Sequence, residues 1–205
     1  FELFPVGLSD VDGDSFLYLT RKSHCSSLMR PTGSADSRYE VVDVISIPCK
    51  RLDALDLNAD VIKIDVQGAE KKVINGGLAT MKNATILECE LFISETYIDQ
   101  TTLTDLLELL TPIGFTLVDI CGMYRNFEAF GKIEFTDLVF VNQNSLLKRK
   151  ENVYILVAHA IEKNYLSRIH LNVDHYDFSL IQKLLLNVIK FINFFKVSSL
   201  LNLKG

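Results

Sequence analysis

The chain has 205 residues, of which 48% are hydrophobic and 23% charged, an ordinary globular composition that holds one medium domain with a modest appendage. The net charge of −5 hides an asymmetry: residues 1–145 carry 12 Lys and Arg against 22 Asp and Glu, whereas residues 146–205 carry 9 against 4. An acidic main body excludes a nucleic-acid surface there, since phosphate binding draws on clustered Lys and Arg.

The opening FELFPVGLSD reads as a strand running into a turn, and the DVDGD cluster then leads into SFLYLT, a hairpin-like excursion. Residues 21–38 have no period and are rich in Ser, Arg, Gly and Pro, which reads as a surface loop. A β-branched strand follows from Tyr39 to Ile47, closed by Pro48, and LDAL makes a short helical turn. Val61–Val66 is a short apolar strand. Directly after it GAEKKVING reads as a tight glycine turn and a helix that stops at Gly76 and Gly77. ATILECELF at 84–92 is a further strand. Thr102 begins a helix with Leu103, Leu106, Leu107 and Leu110 on one face and a capping-box variant at Thr102 and Asp105. Pro112 and Gly114 end that helix, FTLVDI at 115–120 returns as a strand, and FTDLVFV at 135–141 is the last one. A loop of about 15 residues joins them, and loops of that length are more often functional than idle.

Strands alternating with helices specify an α/β sheet, expected to be mostly parallel, with one antiparallel edge from the closing strand pair. The four cysteines, Cys25, Cys49, Cys89 and Cys121, lack C-x-x-C spacing and fit free thiols of a reducing, cytoplasmic compartment. Phe1 is not a translation start, so the chain reads as a fragment. Residues 146–205 are a basic, mainly helical extension to the domain at 1–145. From Lys183 to Lys204 the extension has a wide apolar face interrupted by lysines. It suits packing on the domain, a homo-oligomer contact or a peripheral membrane contact, but not a bilayer span. His159, His170 and His175 have no metal-like spacing.

Read with period two, Lys63 and Asp65 share one side of their strand, and Glu88 and Glu90 share one side of the next. Charged groups at the carboxyl ends of consecutive parallel strands fall where open α/β sheets bind ligands, although a Lys63–Glu88 salt bridge with a purely structural role reads equally from these residues. His24 and Arg125 lie in loops, where solvation is the ordinary state.

VIKIDVQGAEKKVINGG at 61–77 resembles the signature of the FkbM-type methyltransferases, in which an apolar-Lys-Ile-Asp strand end precedes an acidic residue or Gln, then Gly, any residue and Glu. VGLSDVDGD, SSL at 26–28, RLDAL, ILECE, PIGFTLVDI and FTDLVFV follow the family's order, so the resemblance covers about residues 1–143. It implies a Rossmann-like class I methyltransferase sheet, amino-terminally truncated, and an S-adenosylmethionine-dependent enzyme that methylates a hydroxyl of a small molecule, a sugar or a glycan. Phe1–Val6 would be the sheet's third strand. By the same resemblance Asp65 and Gln67 border the cofactor, with Gly7, Leu8 and Ser9 near its adenine, and Glu70, Ser26, Ser27 and Tyr124 face the acceptor. Asp65, Glu88 and Glu90 are the candidate bases, supported by Lys63, and the choice among them stays open. Mg2+ held by Asp65 and Glu90 is the alternative way to polarise the hydroxyl, which activity surviving exhaustive chelation would exclude. No G-x-G-x-x-G run occurs in the sequence, so tight binding of S-adenosylmethionine is not expected of this polypeptide alone. A noncatalytic α/β scaffold or partner-binding domain is the competing reading.

Overall fold

The computed structural model describes residues 2–33, 36–126 and 131–148. The chain divides into two units, Phe1–Ser145 and Leu146–Gly205, and the apolar face expected at 183–204, with His159, His170 and His175, lies outside the described residues.

The first unit is mixed α/β and holds two sheets. In chain order its strands are β1 (Gly7–Leu8), β2 (Gly13–Thr20), β3 (Val41–Lys50), β4 (Val61–Ile64), β5 (Ile86–Phe92), β6 (Phe115–Asn126) and β7 (Lys132–Asn142). The helices are α1 (Glu70–Asn75), α2 (Leu78–Met81), α3 (Leu103–Leu110) and α4 (Gln143–Lys148), the last running past the end of the unit. The smaller sheet has the order β1-β3-β2 and the larger the order β4-β5-β7-β6.

β4 and β5 pair in parallel across a crossover carrying α1 and α2, with Lys63 opposite Glu88 and Ile64 opposite Cys89. The other two pairs of the larger sheet, β5 with β7 and β7 with β6, are antiparallel. β4, β5 and β6 therefore run in one direction and β7 alone runs against them, as a mostly parallel sheet requires, whereas the expected antiparallel edge is corrected, because the reversed strand lies inside the sheet. A short connection forces β6 and β7 into a hairpin, and β7 enters the sheet between β5 and β6, leaving β6 at the edge.

One face of this sheet makes the core. Ile64, Leu87, Cys89, Leu91, Leu138 and Phe140 pack with Val73, Ile74, Met81, Leu106 and Leu110 of the three helices. The alternation that turns these side chains toward the helices turns Lys63, Glu88, Glu90 and Asp137 the other way. α2 was not foreseen beyond the paired glycines. Asp53, in the LDAL turn, supplies its amino-terminal cap: Oδ1 accepts the Thr80 N–H at 2.8 Å and Oδ2 the Ala79 N–H at 3.1 Å.

Three boundaries move. Residues 2–6 form no strand, because the Val6 N–H turns back to the Phe4 carbonyl at 2.8 Å across Pro5, a three-residue turn that an extended chain does not make. β3 continues through Pro48 to Lys50. A β-carbon on Gly7 would lie 3.8 Å from the Pro48 carbonyl oxygen, so Pro48 presents its backbone polar side to β1, whose pairing starts only at Cys49 and leaves no ladder bond for the missing N–H to break. The long loop expected after Ile120 is strand on both sides, reaching Asn126 in β6 and resuming at Lys132 in β7. Register shifts around Leu117–Asp119 and Cys121–Arg125 accommodate its irregular sequence.

Candidate functional site

β4 ends at Ile64, and the chain reaches α1 through Asp65, Val66, Gln67, Gly68 and Ala69. Gln67 has φ 56° and Gly68 φ 90°, two consecutive left-handed residues, the first of them not glycine. Four contacts impose this conformation. Ser27 Oγ donates to the Gln67 carbonyl at 2.7 Å, and the Gly68 N–H donates to Glu70 Oε1 at 2.9 Å. The Gly68 carbonyl accepts both the N–H and the hydroxyl of Thr101, each at 2.9 Å. Glycine is required at 68 for a second reason: a β-carbon there would stand 3.1 Å from the Tyr97 ring.

The turn folds the Gln67 side chain back over the strand ends. Its Nε2 donates to Asp65 Oδ1 at 2.9 Å and to Glu90 Oε1 at 2.8 Å, so one amide group joins two carboxylates on neighbouring strands. Its Oε1 accepts the Tyr97 hydroxyl at 3.1 Å. Asp137 stands opposite Glu90 in the β5–β7 register. Burial raises the Glu90 pKa most, the negative charges of Asp65 and Asp137 add to it, and the Gln67 hydrogen bond only partly offsets them, leaving the group at about 7. A carboxyl poised at that value exchanges a proton at neutral pH. Glu88 is buried and pairs with Lys63, Nζ to Oε1 3.0 Å, and Lys63 also lies 3.6 Å from Asp137. Burial opposes the charge on Lys63, but Glu88 and Asp137 outweigh it and raise its pKa.

The structure thus brings Lys63, Asp65, Gln67, Glu88 and Glu90 into one cluster, with Asp137 and Tyr97 as members not foreseen. Asp137 was readable as the one acid inside FTDLVFV. Tyr97 sits in a loop with no periodic signal, and only the fold carries its hydroxyl to Gln67. The remaining candidates fall elsewhere. Ser9 is buried with its carbonyl against Gly76, where a β-carbon would lie 2.1 Å away, and a β-carbon on Gly7 would meet Cys49 Sγ at 2.8 Å. Leu8 packs against the core. Gly76 caps the carboxyl end of α1. At this turn Gly7 and Leu8 are half-buried and Ser9 is buried.

Glu70 is fully buried, its Oε1 spent on Gly68 and its Oε2 without a partner, and burial raises its pKa, so it fastens the turn and presents nothing to an acceptor. Ser26 Oγ accepts the Thr20 N–H at 3.1 Å, and Ser27, buried, latches the Gln67 carbonyl. Tyr124 is on β6 instead of in a loop, half exposed and stacked on Phe135 at 4.4 Å. Arg125, on the same strand, donates to the Gly131 carbonyl at 2.9 Å. His24 is exposed in a short 3-10 turn. The four cysteines are free, three of them buried. Among the described residues no three His, Cys, Asp or Glu side chains are arranged to hold a metal ion, and Asp65 and Glu90 each give one oxygen to the Gln67 amide. No helix of the described residues is long and apolar enough to cross a membrane.

Beyond Glu90 the chain borders a cavity of ≈ 520 Å³ lined by Thr32, Phe92, Glu95, Tyr97, Ile98 and Leu103 among others. Of the cluster, Tyr97 alone lines this cavity, and the acids stand at the carboxyl end of a parallel strand pair over a strained β–α turn, where α/β domains bind ligands. The model of the methyltransferase FkbM domain matches residues 2–117, and the chain belongs to that family. Comparison with curated proteins and with solved structures gives no match.

Proposed function

We propose that the protein is an S-adenosylmethionine-dependent O-methyltransferase acting on a hydroxyl of a small molecule, a sugar or a glycan, with Glu90 as general base. The observation that carries this is the Gln67 amide holding Asp65 and Glu90 together while Glu90 titrates at about 7. When bound, the cofactor supplies a methyl group on a sulfonium whose leaving group is a neutral thioether. The acids suit that cation: Asp65 is exposed at the strand end, and its carboxylate complements positive charge without needing a protein cation. No step is assigned to residues 7–9.

With the cofactor bound, its methyl group would pass to the acceptor oxygen, and Glu90 would take the proton that the hydroxyl gives up. Lys63 neutralises Glu88 and Asp137, which keeps further negative charge from accumulating where the alkoxide develops. The cavity past the end of β5 is assigned to the body of the acceptor. Its volume lies in the range of small-ligand sites, and its wall mixes aromatic and aliphatic surface with threonine hydroxyls.

Replacing Asp65 with Asn tests the reading. In protein expressed from the complete open reading frame, methyl transfer from labelled S-adenosylmethionine should fall by roughly two orders of magnitude or more while the melting temperature stays within a few degrees, because an exposed site carboxylate does not hold the core. Undiminished turnover in Asp65→Asn removes Asp65 from the mechanism.

A further inference from the structure

We propose that Tyr97 is a positioning residue of this site: its hydroxyl fixes which way the Gln67 amide faces and thereby keeps both amide protons on Asp65 and Glu90. The inference rests on the reading of Glu90 as base, but its geometry stands independently.

A primary amide between two carboxylates has two orientations. One turns the NH2 group toward the acids, and the other turns the carbonyl oxygen toward them. The second is repulsive while both acids are ionised and becomes acceptable once one is protonated and can donate. Tyr97 decides between them. Its hydroxyl donates toward Gln67 Oε1 at 3.1 Å and the Cys25 carbonyl at 2.8 Å, one proton shared between two acceptors. Burial raises the Tyr97 pKa well beyond the physiological range, so that proton is always present to mark the oxygen side of the amide.

The ring itself cannot swing away. It meets Phe92 edge-on at 5.2 Å and Tyr39 at 5.7 Å, with Gly68 directly beneath. The Tyr97 backbone is held as well, because Gln100 Oε1 accepts its N–H at 3.0 Å. The Cys25 carbonyl brings in the 23–29 segment, whose Ser27 already holds the Gln67 backbone, so Gln67 is fixed at its main chain and at its side chain by the same pair of loops. The Tyr97 hydroxyl bonds the Cys25 carbonyl and the Gln67 amide and neither acid, so it acts on Glu90 through Gln67.

Tyr97→Phe keeps the ring and removes the hydroxyl. Glu90 is faced by Asp65 beyond β4, Asp137 on β7 and Glu70 on α1, with the Lys63–Glu88 pair one step back, and none of these changes in the variant. The expected result is a fall in kcat of about fivefold at pH 7, widening to about tenfold well below it, with KM within twofold. The acid limb of the kcat profile should move up by about one pH unit, the tenfold loss of ionised base that such a shift produces. In a cycle with Gln67→Ala, Tyr97→Phe should add nothing further. Nuclear magnetic resonance of the Gln67 side-chain amide reads the same orientation without any turnover: its two proton signals should shift in Tyr97→Phe, and Glu90 carboxyl titration should move with them. Unmoved amide signals, an unshifted profile or fully additive losses would each overturn the proposal. If the amide and the Glu90 titration respond but neither protein transfers methyl groups, the enzymatic reading fails and the positioning role survives.

Discussion

Glu90 carries a cost in stability that its proposed role explains. A carboxyl raised from its ordinary 4.5 to about 7 binds more protons in the folded than in the unfolded state between those values, so folding stability falls as pH rises from 4.5 to 7 and levels off above. Glu90→Gln removes the penalty. At pH 8 the variant should be more stable than the wild type by on the order of 1–3 kcal/mol and should lose that advantage at pH 4, as urea unfolding at the two values would record. A variant equally or less stable at pH 8 would show that Glu90 is a satisfied structural acid. Glu70 is the instructive contrast: it is buried more deeply, yet its carboxyl is committed to the Gly68 N–H and cannot reach a ligand.

At the level of elements, the site depends on α3 and α1 being tied together under the strained turn. Thr102 and Asp105 form a reciprocal capping box at the start of α3, and Lys71 of α1 reaches Asp105 at 2.6 Å. Lys71 first, then Thr102, hold the Asp105 pKa down at about 2, so this contribution is complete above the unfolded value of 3.8 and is lost as pH falls toward 2. Thr102→Ala should cost about 1 kcal/mol, measured as a lower urea midpoint at pH 7, and an unchanged midpoint would mean the box is not formed in solution.

This helix was legible because its leucines repeat at helical spacing behind a capping pair. β4 with its glycine turn was legible because a short apolar run stops abruptly at acid and glycine. The partners of the strands were not. β5 is buried on both faces, so its composition is equally that of a strand between parallel or antiparallel neighbours, and its β7 side proved antiparallel. The CGMYRN half of β6 read as loop because Gly122 and the register shifts break its alternation. Pro48 read as a stop, yet its missing N–H is spared because pairing with β1 begins only at Cys49.

Across the whole molecule, period-two reading placed Lys63 with Glu88 and pointed to Glu90, because in-register positions of adjacent parallel strands share a face. It could not reach Asp137 or Tyr97, whose arrival depends on pairings and loops made by distant parts of the chain. The residues expected at the adenine and acceptor, Gly7–Ser9, Ser26, Ser27 and Glu70, were carried over by resemblance. Among them, Ser27 and Glu70 hold the Gln67–Gly68 turn and Ser26 accepts the Thr20 N–H. Of the acid cluster, Lys63, Asp65, Gln67, Glu88 and Glu90 come from VIKIDVQG and ILECE, two of the segments that carry the family resemblance, and all five lie within the matched 2–117.

The most direct measurement is the pH dependence of kcat/KM for methyl transfer by the wild type and by Glu90→Gln, both expressed from the complete open reading frame. The account predicts a wild-type rate that climbs to a plateau through an apparent pKa near 7, and a variant slower by roughly 10²–10⁴-fold with that ionisation gone. A Glu90→Gln enzyme that keeps the wild-type rate and the same titration would contradict it.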